Sequence, residues 1–253
     1  AVGRGLAGGH PGLLPRAGTL RGPTPARARS GSFHARDGFM DIRPAWSRPA
    51  ECAFAIALFA SALLAVGWTL PGSLLGAADW PTVLFFLAFG LFTIAIGYDH
   101  SAFGYVSFDR IAQVSSLLVL GPVDAAWING LASLLYPWHR LRKGVPLRAV
   151  AFASLNNAGL MALMILAAGH VYLAAGGAAP LAVLDASAFV AILLLLVVMQ
   201  VINEAAMMTL YRLRGLSPRE AFSLFDTAME LAAGVAAIVV AITWTRMETS
   251  VLT

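Results

Sequence analysis

Gln200, Asn203 and Glu204 are spaced three and four residues apart, directly after the apolar run AFVAILLLLVVM, so a helix there places all three on one face. A carboxylate at hydrocarbon depth costs a few kcal/mol on insertion scales, about 2.5–3.5 at a helix centre, and must face other protein groups or water. Asp109 and Gln113 are four apart and share a face next to Arg110. They suit binding a polar ligand or gating a helix, against a plainer role for Asp109 and Arg110 as an ion pair or snorkelling side chains at an interface. Asp226 and Glu230 repeat the four-residue spacing with like charges, which calls for a shared donor such as an arginine, or for one protonated carboxyl. Asn156 and Asn157 are adjacent, about 100° apart around a helix, and suit hydrogen bonding between helices. These nine residues, Asp109, Gln113, Asn156, Asn157, Gln200, Asn203, Glu204, Asp226 and Glu230, are the candidates for a ligand or switch site.

The elements that position them are membrane spans. Of 253 residues, 59% are hydrophobic and 12% charged, with mean hydropathy +0.77, against roughly 45–50% apolar and 25% charged in soluble domains. The chain therefore reads as an all-α, polytopic transmembrane bundle. Spans of about 20 apolar residues fall near 50–70, 81–98, 108–120, 123–137, 149–173, 182–210 and 222–245, seven segments in all. The two around Gly121 and Pro122 are short, and make either two thin spans or one re-entrant hairpin. Pro122 fits a helix's first turn, Gly121 can end the helix before it, and Asp124 meets the positive end of the dipole that follows. The same break also suits a ligand-holding broken helix; the turn is the simpler account.

Arg43 and Arg48, then Arg140, Arg142, Lys143 and Arg148, then Arg212, Arg214 and Arg219 flank alternate span ends, while loops 71–80 and 171–181 carry no Lys or Arg. With positive residues inside, the N-terminus is cytoplasmic and residue 253 lies outside. The net charge of +4 is thereby explained by topology, without nucleic acid. Ser217, Pro218 and Glu220 form a capping box where a helix restarts. Trp68, Trp80, Tyr136, Trp138, Tyr172 and Trp244 read as an aromatic belt. An echo between 128–148 and 202–220 is either a parallel duplication or convergence on a similar aromatic and basic ending.

Residues 1–39 hold six arginines and one acid with no apolar period. They form a disordered leader, either a transit-like segment or sequence upstream of a native start at Met40. Cys52 is the single cysteine, read as a small core residue, and no metal site is expected. His170 lacks companions at ligand spacing. No nucleophile, phosphate-loop or dinucleotide motif is present, so no enzyme and no cofactor are expected of this chain.

GYVSFDRIAQVSSLLVLGPVDAAWINGLASLLYPW, a basic loop, LNNAGLMALMILAAGHVYLAAGG and VMQVINEAAMMTLYRLRG follow in order. Over roughly residues 105–235 the chain resembles the multi-span N-terminal sensor region of bacterial cyclic-di-GMP signalling proteins. The features carrying the resemblance are Val106 to Phe108, Leu120 to Pro122, Asn156 and Asn157, 169–177, and Asn203. It implies an inner-membrane input module for a cytoplasmic GGDEF (diguanylate cyclase) or HD-GYP phosphodiesterase domain, with two copies pairing through that output. Neither output motif occurs here, and the span count needs one more helix after 248 to reach the cytoplasm. The chain is thus expected to be the bundle 40–248 with a short tail, 249–253, cut before a final span. The alternatives are a small-molecule transporter or substrate-binding membrane subunit, for which the break, the echo and the intramembrane acids speak, and a structural subunit of a membrane complex.

Overall fold

The computed structural model describes residues 46, 48–76, 79–100, 104–106, 108–217 and 224–251, without the side chains of 98–100, 104–106, 224–227 and 248–251. The leader 1–39, Met40, Arg43, residues 218–220 of the capping box and the last two residues of the tail lie outside the described residues.

Pro49 opens α1 (Pro49–Thr69), where its missing N–H costs nothing. A turn of 3-10 helix (Leu70–Gly72) leads to α2 (Trp80–Ala95), and a short hairpin of β1 (Tyr98–His100) and β2 (Gly104–Val106) leads to α3 (Asp109–Leu135). A 3-10 stretch (Tyr136–Lys143) carries the basic loop into α4 (Leu147–Ala174), followed by α5 (Ala186–Leu213) and α6 (Leu224–Val251). Asp185 caps α5 by accepting from Ala188 N at 2.8 Å.

Among the described residues six α-helices stand in place of the seven expected segments, because 108–120 and 123–137 are the two arms of α3. Gly121, at φ 82° and ψ 173°, breaks that helix in a conformation L side chains avoid. A straight helix would hold Ser116 and Asn129 about 20 Å apart; instead Asn129 Nδ2 donates to Ser116 Oγ at 2.7 Å, so the second arm folds back along the first. The break leaves the Leu118 carbonyl without an intrahelical donor, since Pro122 has no N–H. Leu181 N, from the α4–α5 loop, supplies it at 2.8 Å. Asp124, 1% exposed, accepts from Ser73 Oγ at 2.6 Å, Leu74 N at 2.8 Å and Trp127 Nε1 at 3.1 Å, which fastens the α1–α2 loop to the hairpin tip.

The α3 hairpin and α4 form the centre, with α1 and α5 packed on α4, and α2 and α6 on α3. Close approach is built on small residues. A Cβ on Gly159 would stand 2.6 Å from the Leu58 carbonyl carbon and the Phe59 nitrogen, so α1 and α4 touch backbone to backbone there. Among the described residues five segments are, by length and composition, apolar enough to cross a membrane: Pro49–Gly72, Leu147–Ala174, Ala186–Leu213, Ala228–Met247 and the folded-back Asp109–Lys143. Leu63, Leu64, Phe92, Val197, Val201 and Val239 are exposed on the outer surface of the bundle, as a helical membrane protein requires.

The end opposite the hairpin tip is basic. Arg48 donates to the Leu213 carbonyl at 3.0 Å, closing the end of α5, and Arg214 lies 3.6 Å from the buried Glu51 and over the Trp46 ring. Arg148 covers Phe152 and donates to Cys52 Sγ at 3.6 Å.

Candidate functional site

The first arm of α3 carries the strongest polar cluster. Arg110 is eleven residues before Gly121, hence about 16 Å along the arm from the tip. It is 5% exposed. Its guanidinium pairs with Glu230 of α6 through Nη2, while Nη1 donates to Gln113 Oε1 at 3.3 Å and to Met164 Sδ at 3.5 Å. Gln113 Nε2 in turn donates to Asp109 Oδ2 at 2.8 Å and Met161 Sδ at 3.1 Å. Helical spacing makes this chain of contacts: 109 with 113, and 110 with 113, are one turn apart. The network joins three helices, and the guanidinium fork holds an acceptor on each of them at once.

Of the roles open to Arg110 in the sequence, the ion pair is present, with Glu230 of α6 as partner. Glu230 finds an arginine donor in Arg110; Asp226 lies one turn earlier on α6, with its side chain outside the described residues.

On α4, Asn157, Met161 and Met164 share a face by spacing, which puts Asn157 one turn from the sulfurs that meet Gln113 and Arg110. Asn156 Nδ2 donates to Asn157 Oδ1 at 3.4 Å, and Asn156 Oδ1 and Ser154 Oγ are buried without a hydrogen-bond partner. On α5, Gln200 Nε2 donates to Glu204 Oε1 at 2.9 Å, and both are half-buried, as is Asn203.

The relation of α5 to α6 aligns these groups. A Cβ on Gly234 would stand 2.9 Å from both Leu196 methyls, marking a close contact of the two helices. Gln200 is one turn from Leu196 and Glu230 one turn from Gly234, both on the basic side of that contact. Below it each helix turns polar: Gln200, Asn203 and Glu204 on one, Glu230 and Asp226 on the other. The structure thus brings Asp109, Gln113 and Glu230 together through Arg110, while Asn157 lies one turn along α4 from Met161 and the α5 group lies on the basic side of the Leu196–Gly234 contact. Gly121, Pro122 and Asp124 belong to the tip and to holding it shut.

Two of the belt aromatics make contacts within the bundle. Tyr172 is fully buried, its hydroxyl donating to Ala178 O at 2.7 Å and accepting from Ala178 N at 3.1 Å. Trp244 packs on Phe85 and Phe86, with ring centres 4.6 and 5.2 Å apart. Glu51, 1% exposed beside Arg214, carries no sequence signal beyond an acid in a first helical turn. Its partner is 163 residues away. Among the described residues, no group of three His, Cys, Asp or Glu side chains is placed to hold a metal ion. Comparison with protein-family models, with curated proteins and with solved structures finds no match.

Proposed function

We propose that this chain is a membrane signal-input module, with its basic end at the cytoplasmic face of a bacterial inner membrane. The observation that supports this most is the Arg110–Glu230 pair, which ties the broken central helix to α6. Such a pair favours one arrangement of α6 against the hairpin. A small molecule or membrane condition that favours another shifts the balance only by its difference in affinity for the two. By the resemblance in sequence, the displacement acts on a cytoplasmic domain, outside these 253 residues, that makes or degrades cyclic-di-GMP.

The test is Arg110→Gln in a bacterium carrying the natural gene, with cyclic-di-GMP measured at matched protein abundance. A several-fold change is expected; an unchanged level removes the pair from signalling. The coding sequence after Thr253 offers a second check: one apolar span followed by a GGDEF or HD-GYP domain is expected, and an immediate stop codon overturns the reading.

A small-molecule transporter is the second reading, favoured by the re-entrant hairpin and the acids at depth. Solute uptake by proteoliposomes of the purified chain, lost in Glu230→Gln, would replace the signalling reading with this one.

A further inference from the structure

The geometry points to a binding slot for one acyl chain of a bilayer phospholipid, between α1 and α4 on the outer surface of the bundle. The groove, of about 660 Å³, is lined by Ser61, Ala65 and Trp68 of α1 and by Leu163, Ala167 and His170 of α4, among others. Its shape follows from the Gly159 contact. The two helices touch backbone to backbone at Leu58, Phe59 and Gly159, immediately below the groove, and the slot opens from there toward the hairpin-tip end. It is therefore closed at depth and open at the mouth.

The length fits a single leaflet. From Ser61 to Thr69 the slot rises about 12 Å, close to the ~15 Å of hydrocarbon in half a bilayer core. Its walls offer a chain apolar surface and little else. The Thr69 hydroxyl is turned back to Ala65 O at 2.8 Å and Val66 O at 3.2 Å, so it presents its methyl side rather than a donor. The slot is continuous with the lipid-facing surface of α1, where Leu64 is 76% and Trp68 88% exposed. At the mouth, Trp68 stands one residue before the end of α1 and His170 four residues before the end of α4. That is the level of ester and phosphate groups, where an indole and an imidazole suit an interface that is apolar on one side and wet on the other. A phospholipid supplies both halves: a chain for the slot and an anionic phosphate for the ring N–H groups at its mouth. The slot lies on the opposite face of α4 from Met161 and Met164, and does not depend on the signalling reading.

The test uses the full chain in phosphatidylethanolamine and phosphatidylglycerol vesicles containing a trace phospholipid with a photoreactive diazirine at the end of one acyl chain. After illumination, labelled peptides are mapped. In the unaltered protein, labelling is expected to concentrate on 58–65 and 159–167, several-fold above the equally exposed faces of α2 and α5. Ala167→Phe, which fills the slot from α4, is expected to lower that labelling several-fold, and Leu194→Phe on the exposed face of α5 to leave it unchanged. Uniform labelling of all exposed faces in the unaltered protein overturns the proposal without recourse to any variant. So does full labelling in a folded Ala167→Phe protein, or crosslinking of this face to a second copy of the chain.

Discussion

Ser116 and Asn129, thirteen residues apart, are joined by a 2.7 Å hydrogen bond that exists only because α3 turns back on itself. Asn129 Nδ2 also donates to Ala125 O at 2.9 Å, so the amide is held on both sides of the fold. A double-mutant cycle of Ser116→Ala and Asn129→Ala should therefore show coupling of about 0.6 kcal/mol, with about 1.7 as the upper end for such bonds in membrane proteins. Unfolding in mixed micelles measures it, and strictly additive effects would contradict a fold-back at Gly121.

Asp124 accepts three hydrogen bonds, two of them from the α1–α2 loop. Asp124→Ala strands those donors. Bonds to a charged acceptor contribute roughly 1.5–3 kcal/mol each, so the expected loss is at least about 2 kcal/mol, with faster proteolysis within 73–79. Asp124→Asn keeps an acceptor and should fall between. Unchanged cleavage in Asp124→Ala would show that the loop is held by other means.

Removing one member of the Arg110–Glu230 pair leaves a charge at depth. Glu230→Gln should destabilise by about 3–5 kcal/mol, the usual cost of breaking a buried pair. The double variant Arg110→Gln, Glu230→Gln should recover most of that loss, because it removes the orphaned charge. Denaturant titration of both proteins decides, and a double variant less stable than Glu230→Gln would mean that the pair itself supplies the stability.

Gly159→Ala places a methyl 2.6 Å from the α1 backbone, which cannot yield as a side-chain end would. Overpacking of this kind costs about 1–3 kcal/mol. Gly130→Ala, whose methyl would meet the Ala162 Cβ at 3.2 Å, should cost less. The ranking of the two thermal midpoints is the readout, and a reversed order would contradict the α1–α4 crossing.

Asp185 stands outside the membrane-spanning part of α5. The Ala188 N–H, and after it the Ser187 hydroxyl, hold its carboxyl below the usual carboxylate value. A folded-state pKa below the unfolded one contributes stability above the unfolded value and loses it as pH falls through the folded value. Hydrogen exchange at Ala188 N should therefore accelerate relative to the α5 interior on acidification below about pH 4. Asp185→Ala should show the faster exchange at every pH.

Much of this is legible in the chain, and what is not has physical causes. A glycine followed by proline cannot continue a helix, so the break at 121 and 122 stands out without a structure. Basic residues at alternate segment ends mark one end of the bundle, since Arg48, Arg148 and Arg214 meet there. Whether 108–137 is one folded-back pair or two full spans is harder to read, because a short re-entrant arm has the same local pattern as a full span. Partners across the fold are harder still: nothing near Glu51 points to Arg214, and nothing in the LNNAG run says which face of α4 meets Arg110 and Gln113.

The sixteen residues of α2 rise about 24 Å and the twenty-eight of α5 about 42 Å. Both are lined with exposed apolar side chains, among them Leu84 and Phe92 on α2 and Leu193 and Val197 on α5. The exposed large apolar side chains of α5 nevertheless run only from Phe189 to Val201, about 18 Å, the same height as from Trp80 to Phe92 on α2. The two helices thus offer surrounding lipid apolar bands of equal height, and the extra length of α5 is its polar, basic-end part.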